Sequence, residues 1–383
     1  MDKPTVQDIF HRFYPAYLDQ YSPSPVQAKV AHNIMNCKTG AYGANVCVCE
    51  DCGFVQIHYN SCRNRCCPMC QAVPKEMWMD ARREDVLDAP YFHLVFTVPD
   101  ILNPVIYSNQ RLLYDALYHA ASSTISELTA DPKHLGAKVG YICILHTWGS
   151  EMNFHPHIHT ILLGGGLASN NQWKDNGENF FLPIRVISKM FRGKYLEELK
   201  RLWEEDKLVF HSTAEKFRNH YTFKELLDSC YGMDWIPHCK KTFNGAQTVI
   251  KYLGKYTHRI AVSNHRIVCM DDDTVTFLVK DYRNEGQWKE LTISGVEFVR
   301  RFLMHVPPRR FVRIRHYGLL CSRTKSQKLT LCRNLLGCKK YLSKLRDMEM
   351  PEILEHLYGI KVCVCKACGG HLGKPQMRMP LRC

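Results

Sequence analysis

The sequence predicts an α+β fold with a central antiparallel sheet, preceded by a small cysteine-dense N-terminal region and followed by a basic C-terminal extension. Three observations predict it. From about residue 89 to 320, β-rich runs alternate with stretches of helical apolar spacing. Two of those runs, "VGYICILHTW" (139–148) and "HPHIHTILL" (155–163), are separated only by "GSEMNF", as in a hairpin. Cysteines crowd between Cys37 and Cys70, outside the alternating part. Strands interrupted by helices, with hairpins among them, favour α+β over a doubly wound parallel sheet.

The elements follow in order. The first residues have amphipathic helical spacing. "YFHLVFTVP" (91–99) reads as a strand stopped by a proline, and "LLYDALYHAASSTISEL" (112–128) as a helix. After the hairpin, helices are expected near Ser188–Glu205 and Ala246–Tyr256, strands at 266–270 and 274–279, and a helix over Val296–Met304. The "LLGGG" that ends the second hairpin strand is expected to turn the chain away from the sheet. These elements divide the chain into residues 1–88, 89–320 and 321–383.

A chain of 383 residues with 45% hydrophobic content can bury a sizeable core. Lysine and arginine outnumber aspartate and glutamate by 51 to 37, giving +14 and a pI near 9.0, which favours a polyanionic partner such as nucleic acid. Between Arg300 and Arg346 there are fourteen lysines and arginines and no acid. The N-terminus has no apolar leader and no stretch approaches the ~20 apolar residues of a membrane span, so a cytosolic location is expected. Nineteen cysteines in a reducing compartment point to metal ligation before disulfides.

"CVCEDCG" (47–53) and "SCRNRCCPMC" (61–70) contain Cys49-x2-Cys52 and Cys67-x2-Cys70, with fourteen residues between Cys52 and Cys67. Two such knuckles can present four thiolates tetrahedrally to a structural Zn²⁺. Cys37, Cys47, Cys62 and Cys66 are then left as further candidates. "VCVCKACGGH" (362–371) repeats the pattern weakly through Cys365 and Cys368, with Cys332 or Cys338 as candidates to complete a second site.

In "NFHPHIHTILLGGG" (153–166), His155, His157 and His159 alternate and so share one strand face. Three imidazoles together repel if charged and are poorly solvated if buried, which favours a shared metal or phosphate. Two readings stand at this point: a histidine-triad nucleotidyl hydrolase, or a His-hydrophobic-His metal pair at His157 and His159 of the kind found in enzymes that cut single-stranded DNA. "YLGKYTHR" (252–259) supplies a possible companion, because Tyr252 and Tyr256 are four apart on a helix and Lys255, His258 and Arg259 surround them. A non-catalytic zinc-finger DNA-binding protein is the third reading.

"LHTWGSEMNFHPHIHTILLGGGL", "YLGKYTHRIAVSNHR", "EFVRRFLMHV" and "FVRIRHYGLL", in that order, resemble the motifs of the two-tyrosine HUH transposases of the insertion sequence 91 family. "SCRNRCCPMCQ" is similar to that family's N-terminal zinc-binding motif, with Cys66 standing where the family commonly has histidine. The resemblance runs from about Cys37 to about Leu320. It implies an HUH endonuclease domain in which His157 and His159, with His155 or Glu151 as third ligand, hold Mg²⁺ or Mn²⁺. It also implies that Tyr252 and Tyr256 cleave and rejoin single-stranded DNA through a 5′-phosphotyrosine, in rolling-circle-like transposition. Lys255, Arg259, Arg309, Arg310, Arg313 and Arg315 are the expected DNA contacts, with Phe311, Val312 and Tyr317 beside them suited to base stacking. The N-terminal zinc knuckles are expected to contact the ends of the element.

Overall fold

The computed structural model describes residues 3–175, 182–235, 237–243, 249, 254, 261–281, 285–374 and 376–378. In chain order the elements begin with helices α1 (Val6–Gln20) and α2 (Pro25–Met35), strands β1 (Ala44–Val48) and β2 (Val55–Tyr59), and helix α3 (Ala72–Arg83). Next come β3 (Tyr91–Thr97), α4 (Asn103–Ser108), α5 (Gln110–Ala130), β4 (Lys138–Trp148), β5 (Phe154–Leu167) and β6 (Trp173–Asp175). They are followed by α6 (Ile184–Glu204), α7 (His220–Gly232), β7 (His238–Phe243), β8 (Ile267–Met270), β9 (Thr274–Asp281) and β10 (Gln287–Ser294). Helix α8 (Gly295–Met304), β11 (Ile314–Gly318), α9 (Lys325–Leu336), α10 (Met350–Tyr358) and β12 (Gln376–Arg378) complete the chain.

The α+β expectation holds. The central sheet has the order β11-β4-β5-β3-β7, with β6 on the end of β5, and its pairs are antiparallel. Alternation sends Tyr141, Cys143 and Leu145 of β4, Ile158 and Leu162 of β5, and Phe92, Leu94 and Phe96 of β3 into one core with α5 and α6. The other face carries Ile142, Ile144, Ile161 and Leu163, covered by Leu87, Val249, Leu319, Leu329 and Cys332. Because both faces are covered, β4 and β5 are buried almost throughout and read as near-continuous apolar runs.

The "LLGGG" segment does not leave the sheet. Gly165 and Gly166 pair with Asp175 and Lys174 of β6, and Gly166 also pairs with Val139 of β4. A Cβ on Gly165 would lie 2.5 Å from Trp173 Cζ2, and one on Gly166 would overlap the Lys138 carbonyl. The glycines are there for close approach of neighbouring chain rather than for turning.

Helices α1 and α2 begin with capping boxes, Thr5 with Asp8 and Ser24 with Gln27. Their buried faces do not close a core of their own. Phe10 and Phe13 pack with Phe277, Phe298 and Phe302, so α1 and α2 share one core with α8 and the small sheet β10-β9-β8. The far end also returns: β12 pairs with β1 in the sheet β12-β1-β2. Divisions at residues 88 and 320 therefore do not separate independent cores, because chain from beyond each boundary packs back across it.

His305, at the C-terminal end of α8, ties this second core to the β4–β5 turn. Its Nε2–H donates to the Met152 carbonyl at 2.9 Å. A carbonyl can only accept, so Nδ1 is bare and receives the Thr147 hydroxyl at 3.1 Å. Both nitrogens are satisfied in the neutral ring, and burial pushes His305 down to about 4. His316, on β11, is also lowered to about 4 by burial.

Two outcomes follow from this packing. Between pH 6.5 and about 4 the unfolded chain binds protons that folded His305 and His316 refuse, so stability should fall as pH drops through that window and level off below it. Melting temperature against pH measures this, and His305→Gln, which keeps a donor and an acceptor, should flatten the slope. Gly166→Ala should cost about 1–3 kcal/mol in denaturant unfolding, since backbone on β4 must move to admit the methyl group.

Candidate functional site

The register of the β4–β5 hairpin places His146 directly opposite His157. His159 lies two residues further along β5 on the same face. The three imidazoles form one buried cluster whose ligand atoms lie within 4.8 Å of one another. His157 Nε2 and His159 Nε2 are 3.1 Å apart. His157 Nδ1–H donates to the His155 carbonyl at 2.7 Å, which leaves its Nε2 lone pair facing the cluster. Burial lowers the His157 pKa to about 4, so the ring is neutral near pH 7 and able to ligate. On the outer side, His159 Nδ1 is 2.9 Å from Nε2 of buried His93 on β3, a hydrogen bond that fixes the ring.

His146 takes the place expected for His155 or Glu151. Pro156 follows His155, whose ring turns outward and meets Asp100 at 3.2 Å. Glu151 lies in the turn and faces Lys289 at 3.9 Å and Asn153 at 3.3 Å. His146 was legible only through strand pairing: a hairpin closed by "GSEMNF" brings it opposite the histidine strand, but its number alone carries no motif.

Tyr252, Lys255, Tyr256 and Arg259, with most of the expected 246–256 helix, lie outside the described residues. Two described neighbours bracket part of that stretch. Val249 is buried among Ile142, Ile144 and Ile161, on the face that carries the three histidines. Gly254 lies so close to Met79 of α3 that a Cβ there would overlap the Met79 sulfur.

Among the described residues the cysteines form two groups, divided differently from the expected site of Cys49, Cys52, Cys67 and Cys70 with a possible second site at Cys365 and Cys368. Cys37, Cys62, Cys67 and Cys70 converge, while Cys49 and Cys52 converge with Cys365 and Cys368. Each CxxC knuckle of the N-terminal region thus belongs to a different group. Cys37 at the end of α2 and Cys62 after β2 complete the first, with Cys62 Sγ and Cys70 Sγ 3.8 Å apart. A tetrahedral site with Zn–S bonds of about 2.3 Å has edges of about 3.8 Å, so the spacing fits zinc. Hydrogen bonds from Cys62 and Cys67 lower the Cys70 thiol below its ordinary value. Cys66 is buried apart from this group, near the Arg313 charge. Cys332 and Cys338 pack in or against the apolar cover of the histidine face and join no metal group among the described residues.

The basic run is less free than its composition suggests. Arg315 pairs with Asp115 and stacks over Tyr118, its guanidinium carbon 4.0 Å from the ring centroid. Burial lowers Arg313, which lies over Trp148. Phe311 is buried and Tyr317 stacks on Tyr141, so neither is arranged to stack bases. Arg300 and Arg301 pair with Glu297, Lys325 with Asp85 and Arg346 with Glu84. Arg309 and Arg310 are exposed in the turn before β11.

Among the described residues no helix is long and apolar enough to cross a membrane. Residues 140–328, which include the histidine cluster, match the family model described as "Putative transposase", and residues 9–98 match "Transposase zinc-binding domain". The "Putative transposase y4qJ" of Sinorhizobium fredii (strain NBRC 101917 / NGR234) is 40% identical over 369 residues, 95% of this chain and 93% of that protein. The transposase for insertion sequence element IS801 of Pseudomonas savastanoi pv. phaseolicola is 30% identical over 309 residues, 79% of this chain and 72% of that protein. Among solved structures, the conjugative relaxase TrwC in complex with oriT DNA aligns with 45% of this chain and 67% of that one, at 15% identity and a TM-score of 0.23. With relatives matched over 95% and 79% of its length and both family models in place, the chain belongs to the insertion sequence 91 family of transposases.

Proposed function

We propose that this transposase nicks and rejoins single-stranded DNA at the ends of a mobile element, with Tyr252 and Tyr256 as nucleophiles and His146, His157 and His159 as ligands of a catalytic Mg²⁺ or Mn²⁺. The observation that carries the reading is the three-histidine cluster at the end of the β4–β5 hairpin. The 3.1 Å separation of the two Nε2 atoms is close to the edge of about 3.0 Å expected for neighbouring ligands at about 2.1 Å from an octahedral ion. A divalent ion held there would act as a Lewis acid on the scissile phosphate. His93 would hold His159 in its ligating orientation as a positioning residue.

In the step proposed, a tyrosine oxygen attacks phosphorus, the bond from phosphorus to the 3′ oxygen breaks, and the departing strand end takes up a proton as a 3′-hydroxyl. The enzyme retains a 5′-phosphotyrosine. A 3′-hydroxyl attacking that ester reverses the exchange and releases the tyrosine, so joining needs no ATP. The second tyrosine lets another strand be cut while the first stays attached. Lys255 and Arg259 beside the tyrosines would stabilise the phenolate, and exposed Arg309 and Arg310 would hold the strand by its phosphates. Cys37, Cys62, Cys67 and Cys70 would bind a structural Zn²⁺ that orders the segment between α2 and α3.

Incubation with labelled single-stranded oligonucleotides of the element's end and Mn²⁺ should give a covalent protein–DNA adduct. The Tyr252→Phe, Tyr256→Phe double variant should give none. Small-dinucleotide hydrolysis without any adduct would sink the reading. His146→Ala should weaken Mn²⁺ binding and nicking at least about tenfold, whereas His155→Ala should change both little; calorimetric titration and nicking rates read the difference.

A further inference from the structure

We infer that Cys49, Cys52, Cys365 and Cys368 form a second zinc site, built from the two ends of the chain, that clasps the C-terminal tail onto the N-terminal domain. The four sulfurs lie within 4.8 Å of one another. Cys49 Sγ is 3.5 Å from Cys368 Sγ, and Cys52 Sγ is 3.8 Å from Cys365 Sγ. Those contacts cross between the knuckles, as the edges of one tetrahedron do, and their lengths lie at or just below the edge of about 3.8 Å set by Zn–S bonds. Each knuckle alone offers two ligands, so neither end completes the site without the other. The zinc-binding family match ends at residue 98 and contains only half of this ligand set.

The surrounding backbone is arranged for thiolates. The amides of Ala367 and Gly370 point at Cys365 Sγ and Cys368 Sγ, each at 3.4 Å. The Cys49 amide donates to the Phe54 carbonyl and the Gly53 amide returns to Cys49, closing the first knuckle tightly. Outside the site, β12 pairs with β1, and Cys49 bridges Leu372. The apolar content holding this junction is slight: Cys47, Cys49, Cys365 and Leu372 are its buried cluster. So small a core does not hold two distant segments well, and a metal supplies what apolar burial lacks. Four thiols are also more than a hydrogen-bonded junction needs, and an all-sulfur tetrahedral set selects zinc over harder cations.

The clasp also governs what lies between it and the catalytic domain. Residues leading to α10 are strapped onto α3, where the carboxylate of Asp80 accepts from Tyr341 Oη and Ser343 Oγ at 2.6 Å and from the Leu345 amide at 2.9 Å. With the tail anchored at Cys365 and Cys368, this strap is held at both ends. This assignment does not depend on the tyrosine chemistry.

Elemental analysis of the full-length protein purified under reducing conditions should give about two zinc per chain. Cys365→Ser with Cys368→Ser should lower this to about one. Cys49→Ser with Cys52→Ser, at the other end of the chain, should remove the same single ion, and all four substitutions together should still leave about one. Hydrogen exchange should rise at residues 44–48 in each variant, and DNA-adduct formation measured alongside reports the tyrosine chemistry separately. One zinc in the parent, additive loss to zero in the quadruple variant, iron in place of zinc, or mass spectrometry showing Cys49–Cys368 and Cys52–Cys365 disulfides would each overturn the inference.

Discussion

The pairing of β4 with β5 is the constraint on which the rest of the structure depends. Because antiparallel registry is fixed residue by residue, placing His146 against His157 also places Ile144 against His159 and Ile142 against Ile161. A slip of one residue would send the imidazoles into the core beneath α5 and α6, where they would have no hydrogen-bonding partner. Three devices hold the register. The glycines of β5 admit β6 and β4 at close range, His305 grips the turn through Thr147 and Met152, and buried Arg266 donates to the Ser150 carbonyl at 2.6 Å. The last two come from the second core, so His305 after α8 and Arg266 just before β8 brace the turn that positions the histidine face.

The sheet's two faces divide the labour. One face is largely apolar and packs against α5 and α6, with Thr160 meeting Cys143 and the Tyr141 hydroxyl meeting Ser122 and Ser126 as its hydrogen-bonded polar groups, which gives the hairpin a rigid base. The other is apolar toward Leu163 and Ile142 and imidazole-rich toward the opposite end, where burial lowers His157 to about 4 and keeps its ring neutral near pH 7. His157 is held low by desolvation, yet its Nδ1 is fixed by a backbone carbonyl two residues away. The same local extended chain that alternates the side chains therefore also sets the tautomer.

Much of this was legible in the sequence because it is local. The hairpin, the strand over 91–97, the helices over 110–130 and 295–304, and the alternation of His157 and His159 all follow from periodicities of a few residues. What was illegible is what depends on registry or on distant chain. His146 has no motif around it and acquires meaning only opposite His157. The two CxxC knuckles near the N-terminus look like a pair in sequence, yet each completes a different group, one with Cys37 and Cys62 and the other with residues more than three hundred positions away. The glycines after Leu163 look like a turn because sequence shows missing side chains without showing what fills their space. The basic run misled for a similar reason: its acids are supplied by Asp85 and Glu84, at the end of α3, by Asp115 on α5 and by Glu297, just outside the run.

Helix α3 is where these distant dependencies meet. One part of it presents Asp80, with Glu84 and Asp85 just beyond its end, to the strap of residues 341–346 and to Lys325 of α9. Trp78 and Met79 pack instead against the cover of the histidine face, where Met79 meets Gly254, the residue midway in sequence between Tyr252 and Tyr256. Asp80 is nearly fully buried, and its carboxylate is stabilised by hydroxyl and amide donors rather than by a single cation. Such a network is costly to half-satisfy, so the strap and α3 stabilise each other. Asp80 and Met79 are adjacent on α3, so the helix that holds the strap is also the one that meets Gly254.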